Sequence, residues 1–141
     1  MINKKKILIT WRLMIDYMNN YESLLHKNNL TYDVIYKKQG LGEKDLINVI
    51  HKYDGIICGD DEINKNVLKK AKKLKVISKW GSGIDSIDSS YAKQKNIKIL
   101  NSPGAFTEPV AQHAMGLMLS LTRNIVANHL DLKKGIWSKR I

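Results

Sequence analysis

An α/β fold, with a parallel five-stranded sheet covered by helices on both faces, is what the sequence predicts. Three observations predict it. Five short apolar or β-branched runs recur along the chain, helical stripes separate them, and a turn-rich break follows at residues 101–109.

The runs are "KILIT" (6–10), "YDVIY" (32–36), "GIICG" (55–59), "KVISKW" (75–80) and "IKIL" (97–100). Each has the length and composition of a buried strand. Between the first two, Met14, Met18, Tyr21 and Leu25 recur at helical spacing. Leu46, Val49, Ile50 and Tyr53 make a second stripe. Val67, Leu68, Ala71 and Leu74 make a third, with Asn64 placed to cap it. The segment "SSYAKQKN" predicts a short fourth helix, capped by Asp88. Right-handed crossovers between parallel strands then give a flavodoxin-like, doubly wound domain over residues 1–101.

The segment "NSPGAFTEP" breaks the pattern. Thr107 is placed to cap a new helix, with Glu108 and Pro109 in its first turn. In that helix Val110, Ala114, Leu117 and Leu121 form one apolar stripe; Ala111, Met115, Met118 and Ile125 form another. A helix apolar on nearly every side is buried on nearly every side. Either its own sheet covers it, or another subunit or domain does. A second helix follows and ends at Gly135, a C-cap residue. Residues 102–141 are thus a hinge and helical arm.

Composition narrows the function. With 43% hydrophobic and 26% charged residues the chain reads as a folded globular protein, expected in the cytoplasm. No apolar run reaches a membrane span, and the basic N-terminus is followed by too short a run for a secretory signal. The single Cys58 has no internal disulfide partner. The net charge of +11 raises the question of nucleic acid. The lysines are scattered, however, and arginine occurs only at Arg12, Arg123 and Arg140. A solvated lysine-rich surface is the expectation. No His, Cys or carboxylate set has metal-ligand spacing, and no Ser-His-Asp assembly is legible.

The stretch "KWGSGIDS" (79–86) follows the fourth strand. A dinucleotide fingerprint would need a third glycine where Ser86 stands, and an acidic residue where Asn101 ends the next strand. A smaller anion suits the loop better. Gly81, Ser82 and Gly83 lie at a strand's carboxyl end, where their amides can hold a carboxylate. A plain tight turn is the alternative. Arg12, after the first strand, faces the same edge and is a candidate partner for an anionic group. Asp60 and Asp61 end the third strand; they either repel a phosphorylated substrate or serve as loop and capping residues.

Together "GSGIDSID", "NSPG" and "VAQHAMGLML" resemble the D-isomer-specific 2-hydroxyacid dehydrogenases, nearest the phosphoglycerate dehydrogenase-like branch. The similarity is strongest over residues 75–137; before that it is one of strand–helix pattern. The resemblance implies a substrate domain flanking an NAD-binding Rossmann domain, and hydride transfer between NAD and a D-2-hydroxy or 2-oxo acid. It implies that Gly81, Ser82 and Gly83 bind the substrate carboxylate, that Ser82 and Thr107 approach the cofactor, that residues 101–103 are a hinge, and that residues 107–137 build a homodimer. The catalytic Arg, Glu and His of relatives have no counterpart among His26, His51, His113, His129 and their surroundings, so no catalytic residue is expected in this chain. The Rossmann glycine motif, expected after Trp137, is likewise missing. Gln112 stands where relatives usually carry glutamate. The chain therefore reads as the first portion of such an enzyme, inactive by itself and ending at Ile141. The other reading is a non-enzymatic flavodoxin-like binding or oligomerisation module.

Overall fold

A computed structural model describes residues 4–137; Arg140 and Ile141 lie outside the described residues. The strands are β1 (Lys5–Ile9), β2 (Leu30–Val34), β3 (Gly55–Cys58), β4 (Val76–Lys79) and β5 (Lys98–Leu100). All neighbours pair in parallel, in the order β2-β1-β3-β4-β5. That is the flavodoxin-like order, with its switch point between β1 and β3.

Side chains of a strand alternate between faces, and β1 makes this visible. Leu8 enters a core with Leu46, Ile50, Val67, Leu68, Ile77 and Ala92. Ile7 and Ile9 enter a second core with Met14, Met18 and Leu25. The first core is covered by α3 (Glu43–Ile47), α4 (Lys65–Lys70) and α5 (Ser89–Gln94), the second by α1 (Arg12–Asp16) and α2 (Glu22–Lys27). Burial of each such aliphatic side chain stabilises by about 1.5–3 kcal/mol.

Two stripes that predict single helices are broken in the fold. The first is α1, a 3₁₀ turn at Met18–Asn20, then α2. Asn19 and Asn20 are weak helix formers, because their amides compete for backbone partners. Met14, Met18 and Leu25 still reach the core, whereas Tyr21 is exposed. The second stripe divides between α3 and a 3₁₀ turn at Ile50–Lys52, yet Leu46, Ile50 and Tyr53 are all buried. The expected caps form. Asn64 Oδ1 accepts the Asn66 and Val67 amides at 3.0 and 3.2 Å, and Asp88 Oδ1 accepts the Tyr91 amide at 2.9 Å.

The chain divides into two compact units between Pro103 and Gly104. The second holds α6 (Thr107–Thr122) and α7 (Ile125–Lys133), which contact each other. Thr107 is not the cap of α6; Phe106 occupies that position without a side-chain bond, and Thr107 is the first helical residue. Asn124 turns the chain between the helices at φ 50°, in the left-handed region that asparagine tolerates. Gly135, at φ +74°, ends α7 in a Schellman motif: its amide donates to the Leu132 carbonyl, and the Ile136 amide to the Asp131 carbonyl. No described residue of either helix is buried.

Across the β1–β2 pair, Asp33 accepts from Lys6 Nζ at 2.7 Å and from the Tyr53 hydroxyl at 2.7 Å. The Lys6 contact, then that of Tyr53, holds the Asp33 carboxyl below its ordinary value. A depressed carboxyl stabilises the fold above its unfolded value, and that stabilisation is lost as pH falls through the folded one. Urea titrations should therefore show Asp33→Asn weakening the chain near pH 7. The gap to the parent should close below about pH 4. Leu8→Ala should cost about 2–5 kcal/mol in the same assay.

Candidate functional site

Thr10, Gly59 and Trp80 follow the ends of β1, β3 and β4, so their loops share the carboxyl edge of the sheet. Asp61 is the organising residue there. The residue is 1% exposed, and its side chain accepts the Thr10 hydroxyl at 2.6 Å, the Leu41 amide at 2.7 Å and the Gly59 amide at 3.0 Å. A carboxylate so enclosed needs those donors, because burying an unpaired charge costs several kcal/mol. Gly59 must lack a side chain: a Cβ there would fall 1.9 Å from Trp11 Cε3. The Trp11 ring thus lies over the end of β3.

Asp60 is the exposed neighbour, and it pairs with the ammonium of Lys79, which also donates to the Gly59 carbonyl. Lys79 ends β4 and is itself buried. This corrects the idea that the two aspartates repel a phosphorylated substrate. Asp61 faces inward as a structural acceptor, and Asp60 is neutralised by its partner.

Beyond Trp80 the chain bends through Gly81, Ser82 and Gly83. Gly81 adopts φ +145°, a conformation that side-chain-bearing residues rarely take. The Gly81 carbonyl accepts the Ser102 amide at 2.9 Å, and the Ser82 carbonyl accepts Asn101 Nδ2 at 2.7 Å. In a trans peptide the N–H points opposite the C=O of the same plane, and no peptide here is cis. The amides of Ser82 and Gly83 therefore point away from residues 101–102. Neither donates to any described group, and both residues are exposed. Two neighbouring free amides, both facing away from residues 101–102, are donors that a small oxyanion can use. Asp85 brings one carboxylate to the same bend, its Oδ2 3.2 Å from where a Gly83 Cβ would stand. That charge works against a multiply charged ligand more than against a single carboxylate.

Arg12 opens α1 at this edge, but its guanidinium pairs with Asp16 at 3.4 Å and is exposed. β1 and β4 are separated by β3, about 10 Å at ordinary strand spacing, so the sheet does not bring Arg12 onto the bend. Asn101 is the residue that sequence reasoning missed. It reads as a strand end, yet its side-chain amide fixes the bend. Asparagine's habit of bonding nearby backbone was the available signal.

Cys58 is buried, and burial, reinforced by the Asp61 charge, pushes its thiol up to about 12. It is a core residue and not a nucleophile. His26, His51, His113 and His129 stand on separate elements, and no group of metal-binding side chains occurs among the described residues. No described helix is long and apolar enough to cross a membrane. Gln112 donates to Glu108 at 2.9 Å, one helical turn away, where a glutamate would repel it.

A dinucleotide's pyrophosphate does not fit this bend. Such a site needs glycines leading directly into a helix N-terminus. Here Asp85 and Asp88 intervene before α5, and the Asp88 carboxylate already takes the Tyr91 amide. The hydroxyls of Ser82 and Thr107 make no bond to a described group, and both residues are exposed.

With this geometry in hand, the comparisons with known proteins agree on one family. The family model for D-isomer specific 2-hydroxyacid dehydrogenase, catalytic domain, matches residues 12–134. A D-3-phosphoglycerate dehydrogenase of Archaeoglobus fulgidus is 35% identical over 127 residues, which span 89% of this chain and 22% of that protein. A hydroxypyruvate reductase of Thermotoga maritima is 40% identical over 100 residues, 70% of this chain and 33% of that protein. The structure of an Aquifex aeolicus D-lactate dehydrogenase complexed with NAD and lactic acid superposes with a TM-score of 0.77 at 22% identity, over 96% of this chain and 39% of that one. That likeness is of fold. The chain spans about a fifth to a third of the length of these curated relatives.

Removing the Asp61 carboxylate strands three donors, so Asp61→Ala should cost about 3–5 kcal/mol by urea denaturation. Asp61→Asn should recover part of the loss. Cys58 should resist alkylation at pH 8 in the native state and react once urea is added; fast native labelling would contradict its burial.

Proposed function

The chain belongs to the D-isomer specific 2-hydroxyacid dehydrogenase family, and on that premise we propose that its first unit is the substrate-gripping part of an NAD-dependent oxidoreductase acting on D-2-hydroxy and 2-oxo acids. The observation that carries this reading is the pair of free, exposed amides at Ser82 and Gly83. They hold the substrate carboxylate, with the Gly81 conformation allowing close approach. Fixing that end of a two- or three-carbon acid leaves its C2 oriented for reaction. NAD, when bound, exchanges a hydride with C2. The Ser82 and Thr107 hydroxyls are proposed as single hydrogen-bond contacts to that cofactor, its main binding surface lying in the part of the relatives that this chain does not span.

A general acid–base must reach the C2 oxygen within hydrogen-bond distance. In the first unit His26 and His51 lie on elements that precede β2 and β3, at the opposite edge of the sheet from the bend, and the role is assigned to the portion of the relatives beyond this chain. Arg12 is held as a weaker candidate for a second anionic group, since reaching one would mean releasing Asp16. A homodimer through residues 107–137 is proposed from the exposed stripes of α6, where Val110, Met115, Leu117 and Leu121 are all more than half exposed.

Titrating the ¹⁵N-labelled chain with pyruvate and glyoxylate tests the grip. The largest amide shifts should fall on Ser82 and Gly83, and Ser82→Pro, which removes one donor, should abolish them. Shifts centred elsewhere would refute the assignment. The chain alone with NADH and the same acids should give no turnover, and steady turnover would place the acid–base group within it. Sedimentation should report a dimer that Met115→Glu disperses.

A further inference from the structure

In a parallel sheet every strand starts on the same edge, opposite the site described above. The Ile50–Lys52 turn leads into β3 there, and residues 71–75 lead into the adjacent β4. Between these two segments lies a groove of about 490 Å³ lined by His51, Lys52, Lys70, Lys72 and Lys73. All five are exposed, and none forms an ion pair with a described residue. Among the described residues no carboxylate lines the groove. Asp54, the acidic residue nearest in sequence, is turned to β1: it accepts the Lys6 amide at 2.9 Å and pairs with Lys5 at 3.5 Å.

Part of this charge has a local cause. Lys70 lies in the last turn of α4, and His51 and Lys52 in the last turn of the 3₁₀ segment, where cations offset the helix dipole. Lys72 and Lys73 lie beyond the Ala71 cap, so the dipole does not account for them. Four lysines share this one concavity, so like charges face one another there.

We propose that this groove is a binding site for an oligophosphate, a run of two or three linked phosphates. Lys52, Lys70, Lys72 and Lys73 supply the countercharge. The volume lies within the range of small-molecule sites. Lysines serve as point charges for phosphate oxygens. Among the described residues no Phe, Tyr or Trp lines the groove and His51 offers only a single small imidazole, so recognition rests on the phosphates. A single carboxylate would leave most of the countercharge unanswered. The site is separate from the Gly81–Gly83 bend by the length of β4, about 10 Å.

Calorimetric titration of the whole chain at low salt tests this, with tripolyphosphate, ATP and a short DNA duplex in parallel. Tripolyphosphate and ATP should bind with similar affinity, because the base contributes nothing. Lys72→Glu with Lys73→Glu should weaken both by at least roughly tenfold. The same double variant should unfold at higher urea than the parent, since it relieves repulsion, and this shows that lost binding is not lost folding. Lys38→Glu, on the opposite edge, should change affinity less than about twofold. The proposal fails if tripolyphosphate does not bind, if only the duplex binds, or if Lys38→Glu weakens binding as much as the double variant does.

Discussion

The Asp61 carboxylate sits inside the first unit with three donors converging on it, and those donors come from segments far apart in the chain. Thr10 follows β1, Leu41 precedes α3, and Gly59 follows β3. A buried anion tolerates little departure from such an arrangement, because each lost donor exposes it to a desolvation cost with no return. The carboxyl edge is thereby fixed at β1 and β3. The lysine that closes β4 extends the pattern, tying its strand end to Gly59 and Asp60. The bend at Gly81 starts from a strand end that is already anchored.

How much of this the sequence announced differs by element. The five strands are legible because their buried runs are nearly continuous, and the parallel order follows from the helices between them. β2 is displaced by two residues from its expected position, at Leu30–Val34 in place of 32–36. It is an edge strand, paired on one side only, and its residues are mostly half-exposed, so hydrophobicity marks its start poorly. Helix continuity was misjudged where asparagines interrupt a good apolar stripe. The stripe reports which face is buried, and it says little about whether the backbone stays α-helical throughout.

For the site, the glycine spacing was the visible signal, and its meaning lay in hydrogen bonds that no spacing displays. Asp61 looked like a surface charge because an acidic pair at a strand end usually is one. Its burial depends on Thr10 and Leu41, neither of which a motif would join to it. Asn101 was hidden for a similar reason: its partner is a carbonyl nineteen positions earlier. The all-round apolar character of α6 was readable from composition alone, and its exposed stripes fit that reading.

The bend also has a mechanical property. Its two peptide planes are rigid plates, each clasped at the oxygen by the segment at residues 101–102. A displacement of that segment would pull on both oxygens, and because each plate is rigid the nitrogen on its far side would move too. The outward hydrogens would swing in the reverse sense, as the two ends of a rocker do. The aim of the two free amides is consequently tied to the posture of the stretch before Pro103.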